Sequence, residues 1–426
     1  MDSAGFMARL TANQEKTTPM RKTGEKPIHL KSIFTDEKET TLTYAQLPTL
    51  TLHRSPIPAP LASALFQELM SEAESYERHE WFLAGRKVQS PHTSGYYHDG
   101  QLEAEDSAAG EGYWYAGKQV NPAPRYPPLL GQAAALITPY VNNVLARRSR
   151  LAGEYAGEWR ANFAAVNHYH GAASSVGWHA DQSTYLGPCA TIVSLSLGTP
   201  REFRLRPVPH HSSPTTDALG NSLRTYAVTL GHNSLCIMHA GTQELYKHTV
   251  PPTPTGSVDI FKPPYDSAQR WVPPEARKGY TSRINITFRF YRPDFRPYPG
   301  LAPGGGKRQG TPVCRCGIPW YVVVVVPSSS RVQPHLTPFV GSVLRADQKG
   351  KARAAAAAAA GGNGPTTTAP TDEPSPRVKD LAQALSGMIY FWQCQSSSVT
   401  GTDKGCGFFR VLDFVEEGRG PCFTSG

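Results

Sequence analysis

The sequence predicts an α+β protein that is mainly β, with a sandwich or jelly roll preceded by helices. The first observation is composition: 38 glycines and 38 prolines among 426 residues exclude a mostly helical bundle. The second is that short β-type runs separated by turns follow from Ala161 onward. The third is the run Arg283–Tyr291, which alternates apolar and polar side chains as a half-buried strand does.

Two helices are expected ahead of the strands, on the N-terminal flank of the β-structure. Pro58–Glu77 carries Leu61 and Leu65 at helical spacing. Pro127–Arg147 shows a similar pattern, and Pro139 inside it is expected to kink or split the helix, because proline removes a hydrogen-bond donor and clashes with the preceding turn.

Five strands are predicted after the helices, and the polar face of the last is unusual. It carries two arginines, Arg283 and Arg289, with Asn285 between them. Such a face in a core-type strand indicates either a solvated surface or a polar cavity that binds anions. The predicted strands are Ala190–Leu197, Glu202–Val208, Thr225–Leu230, Ser234–His239 and Arg283–Tyr291.

Net charge and local composition suggest how the chain is organised. The formal net charge is +9, which indicates a polyanionic partner, nucleic acid first, although a solvated basic tail would give the same balance. Residues 1–48 are polar and are expected to be a disordered basic tail, and residues 301–312 a Gly-rich linker. No run reaches ~18 apolar residues, so no membrane partner is expected.

Residues from about 320 to 386 are of low complexity. Val322–Val326 is a run of five valines and Ala354–Ala360 a run of seven alanines, and no fold is assigned to this segment. It is either a disordered insertion or a gene-model error, and an unbroken transcript would remove the second explanation.

The seven cysteines are unevenly placed, which favours a metal site in a reducing compartment over a disulfide framework. Cys189 and Cys236 stand alone and are expected to fill the core. The rest crowd the C-terminal part: Cys314, Cys316, Cys394, Cys406 and Cys422, the last expected to be a spare thiol.

The pattern His-x-Asp at His179 and Asp181 is the strongest chemical signal. Residues two apart in a strand point to the same side, so both could hold one metal, and His248 on a neighbouring strand would complete two histidines and a carboxylate. That donor set suits non-haem Fe(II) oxygenases. The alternatives are a turn histidine at 179 and a loop histidine at 248. A buried arginine such as Arg283 would serve a 2-oxoglutarate carboxylate.

With these residues the sequence resembles the AlkB family of Fe(II)/2-oxoglutarate dioxygenases over about residues 49–300. The likeness is greatest to the nucleic-acid demethylase branch, that of the second and third human AlkB homologues. It implies a double-stranded β-helix. The matching stretches are NHYHGAASSVGWHAD (Asn167–Asp181), IVSLSLGTPREFRLR (Ile192–Arg206), SLCIMHAGTQELYKHTVP (Ser234–Pro251) and RINITFR (Arg283–Arg289).

The resemblance also implies roles for individual residues. His179, Asp181 and His248 would bind iron, and Arg283 would bind the distal carboxylate of 2-oxoglutarate. The remaining cosubstrate contacts would be Asn167, Tyr169, Asn285 and Arg289, with Arg289 near the iron-chelating end.

The family reaction would use Fe(II), 2-oxoglutarate and O₂ to remove N-methyl groups of the 1-methyladenine and 3-methylcytosine type from DNA, on a single strand or a flipped base. Tyr113 and Tyr115 could stack on the base. Gln182 follows the His-x-Asp where these demethylases usually carry an acidic residue nearby. An amide can hydrogen-bond a base edge, but it does not favour a cationic base by charge.

The C-terminal residues 313–426 resemble a GRF-type zinc finger, a family that binds single-stranded DNA. The resemblance rests on Val313–Pro319, Ile389–Cys394 and Cys406–Arg410, and the low-complexity insert interrupts it. It implies a structural Zn(II), the metal that four thiolates prefer. The expected zinc ligands are Cys314, Cys316, Cys394 and Cys406.

The expected function is therefore DNA dealkylation repair by a monomeric enzyme in the nucleus, with the cytoplasm as a further location. Two alternatives remain open at this stage. One is an oxygenase that acts on RNA or protein, and the other is a non-catalytic reader of modified nucleic acid. The two histidines, the carboxylate and both arginines favour catalysis.

Overall fold

The structure, a computed structural model, describes most of the chain. The described residues are 26–30, 41–44, 46–83, 86–100, 114–115, 118–119, 123–209, 215–254, 256–296, 310–325, 376–386, 388–394, 396, 406 and 409–423.

A seven-stranded antiparallel sheet is the larger of two sheets in the described residues between 26 and 296, which include the span predicted to be catalytic and are called the catalytic region. In spatial order its strands are β2 (Thr41–Tyr44), β3 (Leu47–Arg54), β14 (Ser234–Met238), β11 (Ile192–Gly198), β16 (Ser282–Arg289), β9 (Phe163–His170) and β6 (Thr93–His98).

The smaller sheet has five strands, and its pairs are antiparallel except where β1 joins β13 in parallel. The two sheets together give the mainly β, jelly-roll architecture that the sequence predicts. In spatial order the strands are β1 (Ile28–His29), β13 (Tyr226–Leu230), β12 (Arg201–Pro207), β15 (Tyr246–Val250) and β10 (Val176–His179).

Two hydrophobic cores divide the catalytic region into three layers. One core lies between the sheets and includes Leu52 and Phe203. The other lies between the larger sheet and two helices, and there Phe66 packs with Ile286. Burying a side chain of this size stabilises a fold by roughly 1.5–3 kcal/mol, so the helix layer fixes the larger sheet from behind.

Both predicted helices are present. Helix α1 (Ala59–Glu72) and helix α2 (Pro128–Ala146) each bury one apolar stripe against the larger sheet. The expectation that Pro139 would split the second helix is wrong, because α2 continues through it. Pro139 lies on the exposed side, where water can satisfy the carbonyl that loses its partner.

The expected disorder of residues 1–48 is wrong for two short strands. β1 pairs with β13, where Ile28 lies opposite Tyr226, and β2 pairs with β3. β1 takes its backbone hydrogen bonds from β13, far along the chain, whereas β2 pairs with the adjacent β3, and the polar composition of residues 1–48 as a whole did not reveal either strand.

A three-stranded sheet forms the C-terminal module, defined here as residues 310–325, 376–386, 388–394, 396, 406 and 409–423. Its strands are β17 (Trp320–Val325), β18 (Ile389–Cys394) and β19 (Phe409–Val411), and helix α4 (Pro376–Ser386) precedes β18. The low-complexity segment therefore begins and ends in regular structure, contrary to expectation. Valine is a strong strand former, and β18 supplies the partner that the sequence alone does not reveal.

The end of the expected linker is also structured, since Oγ1 of Thr311 donates to the carbonyl oxygen of Thr184 at 2.9 Å. Two short hairpins complete the described fold: β4 (Glu80–Leu83) with β5 (Arg86–Gln89), and β7 (Trp114–Tyr115) with β8 (Lys118–Gln119). Within the described residues, the helices are all too short or too polar to cross a membrane.

Candidate metal centre and cosubstrate pocket

Two neighbouring strands of the smaller sheet bring two histidines and a carboxylate together. His179 ends β10 and pairs with His248 of β15, and their ring centroids are 4.2 Å apart. Asp181 follows two residues later, and its Oδ1 lies 3.6 Å from Nε2 of both histidines. One donor atom from each residue lies within 4.8 Å of the others, so the fold assembles the three side chains that the sequence singled out.

Asp181 is held in its ionised form by its surroundings. Its Oδ2 lies 3.3 Å from Nη2 of Arg289, and its main-chain N–H donates to Oε1 of Gln243 at 2.7 Å. Burial alone would raise the pKa of Asp181, but the charge of Arg289 and the nearby imidazoles of both histidines outweigh it and hold the pKa well below its usual range. Metal ligands must be deprotonated in this way.

The two imidazole rings are also prepared to act as ligands. Nδ1 of His179 donates to the carbonyl oxygen of Gly177 at 2.8 Å, which leaves the lone pair of Nε2 on the side of Asp181. Burial, together with nearby His179, lowers the pKa of His248. A lowered pKa favours the neutral ring of His248, and two imidazoles plus one carboxylate on one face fit Fe(II) with open positions.

Strand β16 presents the polar face that its alternation predicted. Ile286 is fully buried in the core under the helices, and the opposite face points between the sheets. On that face Asn285 pairs across to Asn167 of β9, and Arg283 pairs with Tyr169. The five predicted cosubstrate residues thus lie on two adjacent strands, since Arg289 ends β16.

Arg283 is nearly fully buried, at 2% exposure, and its hydrogen bonds are incomplete. Nη2 donates to Oγ of Ser196 at 2.8 Å and to Oδ1 of Asn285 at 2.6 Å. Nε and Nη1 are buried with no hydrogen-bond partner among the described residues. Burial lowers the pKa of Arg283 to about 10, so it remains a cation at neutral pH. Buried unpaired donors on a cation indicate an anionic acceptor, and a carboxylate fits that position.

Two residues with no role assigned from the sequence complete the wall around Tyr169. The ring of His92 stacks on it at 5.3 Å, and burial lowers the pKa of His92 to about 4. Arg201 lies 5.9 Å from the same ring and donates to the carbonyl oxygens of Ser174 and Pro251 at 2.7 and 2.9 Å. A charged residue at the start of a buried strand was a usable signal for Arg201, whereas nothing in the single sequence marks His92.

The expected substrate residues are only partly described. Tyr113 lies outside the described residues, as does the side chain of Tyr115. The adjacent Trp114 donates its main-chain N–H to Oη of Tyr185 at 3.3 Å, which places this hairpin beside the segment after Asp181. Gln182 is half-buried next to Asp181.

The four C-terminal thiols expected to bind zinc come together. Sγ of Cys314 lies 3.4 Å from that of Cys406, Sγ of Cys316 lies 3.4 Å from that of Cys394, and all four lie within 4.8 Å of one another. Tetrahedral zinc with ~2.3 Å Zn–S bonds would place its sulfurs about 3.8 Å apart, so the cluster fits such an ion.

Known proteins resemble this chain mainly in the catalytic region. Alpha-ketoglutarate-dependent dioxygenase alkB homolog 3 of Rattus norvegicus is 32% identical over 134 residues, which cover 32% of this chain and 37% of that protein. DNA oxidative demethylase ALKBH2 of Arabidopsis thaliana is 35% identical over 141 residues, with 30% and 38% coverage. The chain thus spans little more than a third of the length of these relatives.

A solved structure, that of OsALKBH1, aligns with 57% of this chain and 96% of its own at 16% identity, with a TM-score of 0.35. The family model of the 2OG-Fe(II) oxygenase superfamily matches residues 49–289, more than half of the chain and the whole span from β3 to the end of β16. The matched span contains the two histidines, the carboxylate and the polar face of β16. The chain belongs to the 2OG-Fe(II) oxygenase superfamily.

Proposed function

We propose that this oxygenase is a nucleic-acid demethylase that removes N-methyl groups of the 1-methyladenine and 3-methylcytosine type, with DNA as its substrate. The observation that carries the proposal is the facing pair of sites: His179, Asp181 and His248 on the smaller sheet, and Arg283 on the larger one. The choice of substrate draws on the likeness to alkB homolog 3 and to a DNA oxidative demethylase.

One set of residues fits Fe(II), and a second set fits 2-oxoglutarate. His179, Asp181 and His248 would hold Fe(II) and leave positions open for 2-oxoglutarate and O₂. Arg283 would direct Nε and Nη1 at the distal carboxylate of 2-oxoglutarate. Arg289, already 3.3 Å from Asp181, would stand at the iron-chelating end of the cosubstrate.

When bound, iron and 2-oxoglutarate supply the oxidation, in which one atom of O₂ ends in succinate, released with CO₂, and the other in the N-methyl carbon, which leaves as formaldehyde. The protein's part is to orient the reactants and exclude water. Arg283 fixes one end of the cosubstrate, and the ion pair between Asp181 and Arg289 keeps the carboxylate charged and in place.

A base reaches this centre only outside the helical stack, so single strands or flipped nucleotides are the proposed substrates. Gln182, next to Asp181, would hydrogen-bond the edge of the base. The four C-terminal thiols would bind one structural Zn(II), and the module around them would hold single-stranded DNA.

Mass spectrometry of short oligonucleotides tests the proposal. The purified chain is incubated with Fe(II), 2-oxoglutarate and ascorbate, and with 1-methyladenine or 3-methylcytosine in single- and double-stranded DNA and in RNA. Loss of one methyl mass from DNA, absent without 2-oxoglutarate, supports the proposed function. Loss from RNA alone would assign an RNA demethylase instead. Succinate formation without demethylation of any strand would reject nucleic-acid demethylation but not the oxygenase.

Replacement of Arg283 by lysine tests the cosubstrate site. Lysine keeps the charge but cannot donate from two positions of a planar fork, so we expect KM for 2-oxoglutarate to rise about tenfold to a hundredfold. Arg270→Lys is the matched control, because Arg270 is an exposed arginine paired with Asp266. An unchanged KM for 2-oxoglutarate in Arg283→Lys would place the cosubstrate carboxylate elsewhere.

A further inference from the structure

A short helix lies between the metal centre and the C-terminal module. Helix α3 (Thr242–Leu245) directly precedes the strand that carries His248, and all four of its residues are buried. The residues of α3 that contact the two regions are neighbours in sequence: Gln243 contacts the segment of Asp181, and Glu244 contacts the segment that packs against the module. A displacement of this helix would therefore move contacts of both the metal centre and the segment that packs against the module.

On the side of the metal centre, Gln243 fixes the main chain of Asp181. Its Oε1 accepts the N–H of Asp181 at 2.7 Å, and its Nε2 donates to Sδ of Met238 at 3.6 Å. Because a backbone N–H can only donate, the oxygen of the Gln243 amide must face it. The side chain thus connects Asp181 to the helix by an oriented bond within the protein interior.

On the other side, Glu244 is linked to the C-terminal module through Cys189. Oε1 of Glu244 accepts the N–H of Cys189 at 2.8 Å. Sγ of Cys189 lies 3.6 Å from Oη of Tyr390, a buried residue of strand β18. The same strand ends at Cys394, one of the four clustered thiols.

Helix α4 of the module covers the start of α3. Gly241, the residue before α3, has φ of 90°. A Cβ atom built there would lie 3.3 Å from Leu385 and 3.5 Å from Leu381, both in α4, and 3.4 Å from Thr49 of the larger sheet. A left-handed conformation and this close approach both favour glycine, so the module packs directly against the N-terminal end of α3.

The module is fastened to the catalytic region at a second place. Its last described residues form main-chain hydrogen bonds with it: Phe423 donates to Glu154 at 2.8 Å, and Ala156 donates to Pro421 at 2.8 Å. Arg419 is almost fully buried and donates to the carbonyl oxygen of Asp294. Trp392 packs on Phe295 with ring centroids 5.6 Å apart. These contacts hold the module against the catalytic region.

We infer that the C-terminal module is a positioning element for the metal centre: it holds α3 through Leu381, Leu385 and Tyr390, and Gln243 of α3 in turn positions Asp181. Gln243 is a positioning residue in this arrangement, since it contacts the ligand residue and not the metal. The inference rests on the metal-binding part of the proposed function and needs no assumption about the base that is demethylated.

Coupling of this kind is reciprocal. If the docked module favours the arrangement of Asp181 that binds metal, then metal at the triad must favour the docked module by the same factor. Mutations along packed networks of this kind typically change the coupling between two sites about two- to thirtyfold. We expect changes in metal affinity of that size when a contact between the module and Asp181 is removed.

Titration with Mn(II), followed by electron paramagnetic resonance, tests the inference in the full chain. Mn(II) prefers imidazole and carboxylate ligands to thiolates, so its spectrum reports the triad without occupying the thiol cluster. We expect Gln243→Met, which keeps the length but removes the acceptor, to weaken Mn(II) binding about tenfold and to alter the spectrum of the bound ion. We expect Leu385→Ala to weaken binding about threefold.

Two matched variants separate coupling from general damage. Tyr390→Phe removes the hydroxyl near Cys189, whereas Tyr321→Phe removes a hydroxyl that bonds to Gln393 inside the module. We expect only Tyr390→Phe to lower Mn(II) affinity. If Leu385→Ala and Tyr390→Phe both bind Mn(II) like the unaltered chain, the module does not position the centre, whatever Gln243→Met does.

Hydrogen exchange gives a readout that does not depend on metal. Leu385→Ala should speed amide exchange in residues 241–248 relative to Val415→Ser, a substitution of an exposed side chain in the same module. Equal exchange in the two variants would overturn the inference. Because neither measurement uses a base substrate, failure of the demethylation assay would leave the outcome unaffected.

Discussion

The triad and the thiol cluster are assembled in different ways, although each gathers several metal-binding side chains. The triad comes from two paired strands and the segment just after one of them, and two of its members have polar partners outside it: Asp181 contacts Arg289, and His179 donates to Gly177. The thiol cluster joins Cys314 and Cys316 to Cys394 and Cys406, which lie far along the chain, and its sulfurs approach one another in pairs at 3.4 Å.

This difference indicates what each site needs from a metal. Strand pairing and buried polar partners keep the triad in a binding arrangement with open positions, as a catalytic centre requires. The four thiols lie on segments that are far apart along the chain, and a closed tetrahedral ion would join those segments. We therefore expect loss of metal to abolish chemistry at the triad and to loosen the structure at the thiols.

Replacement of His179 by alanine is expected to have the largest effect. It removes one of three ligands, so turnover should fall by at least about a thousandfold, because metal-ion catalysis contributes several kcal/mol. Formation of succinate from 2-oxoglutarate measures it. His170→Ala is the control, since His170 is exposed at the end of β9. The zinc content of both variants should stay unchanged, and substantial turnover in His179→Ala would reject the assignment of this ligand.

Replacement of Cys394 by serine should have its main effect on the other metal. The intact site with four thiolates would bind zinc with a free energy of about 10–16 kcal/mol, and most of that binding free energy is lost when only three thiolates remain. The zinc content measured by elemental mass spectrometry should therefore fall from about one equivalent to nearly none. Proteolysis within the module should become faster. Cys422→Ser is the matched control, because Sγ of Cys422 lies near Arg292, outside the cluster. Full zinc content in Cys394→Ser would show that these thiols are not the site.

Local pattern was sufficient to predict the elements that bury one clear face. The stripes of α1 and α2 and the alternation of β16 follow from residue spacing. His179 is likewise positioned by its strand, whereas Asp181 lies two residues past the end of β10 and is held by Arg289 and Gln243. The combination with His248 required the resemblance to a known family.

Features that depend on distant partners could not be predicted. The edge strand β1 exists because β13 offers free backbone groups, and β17 needs β18, which lies more than sixty residues away. The contact between α4 and Gly241 joins residues that are far apart in sequence, so only the fold reveals that Leu381 and Leu385 are the neighbours of this glycine. His92 is an ordinary loop histidine until folding stacks it on Tyr169.

Mild acid should destabilise the catalytic region more than the C-terminal module, because buried histidines lie in the catalytic region. Burial lowers the pKa of His53 and of His92 from 6.5 to about 4. Between pH 6.5 and 4 the unfolded chain binds more protons than the folded one, so the stability present above pH 6.5 is lost as pH falls. We expect each of the two to reduce the free energy of unfolding by about 2 kcal/mol between pH 7 and pH 5.

The C-terminal module contains no histidine among its described residues, so acid should act on the catalytic region first. Urea unfolding at pH 7 and pH 5 measures the loss. The amide Oε1 and Nε2 of glutamine in His53→Gln can still hydrogen-bond Thr51 and Tyr140, but the amide does not titrate, so the variant should lose about 2 kcal/mol less between these pH values. His29→Gln, at an exposed position, should behave like the unaltered chain. An equal loss in His53→Gln and in the unaltered chain would mean that His53 does not fold in its neutral form, and the acid sensitivity would then belong to other groups.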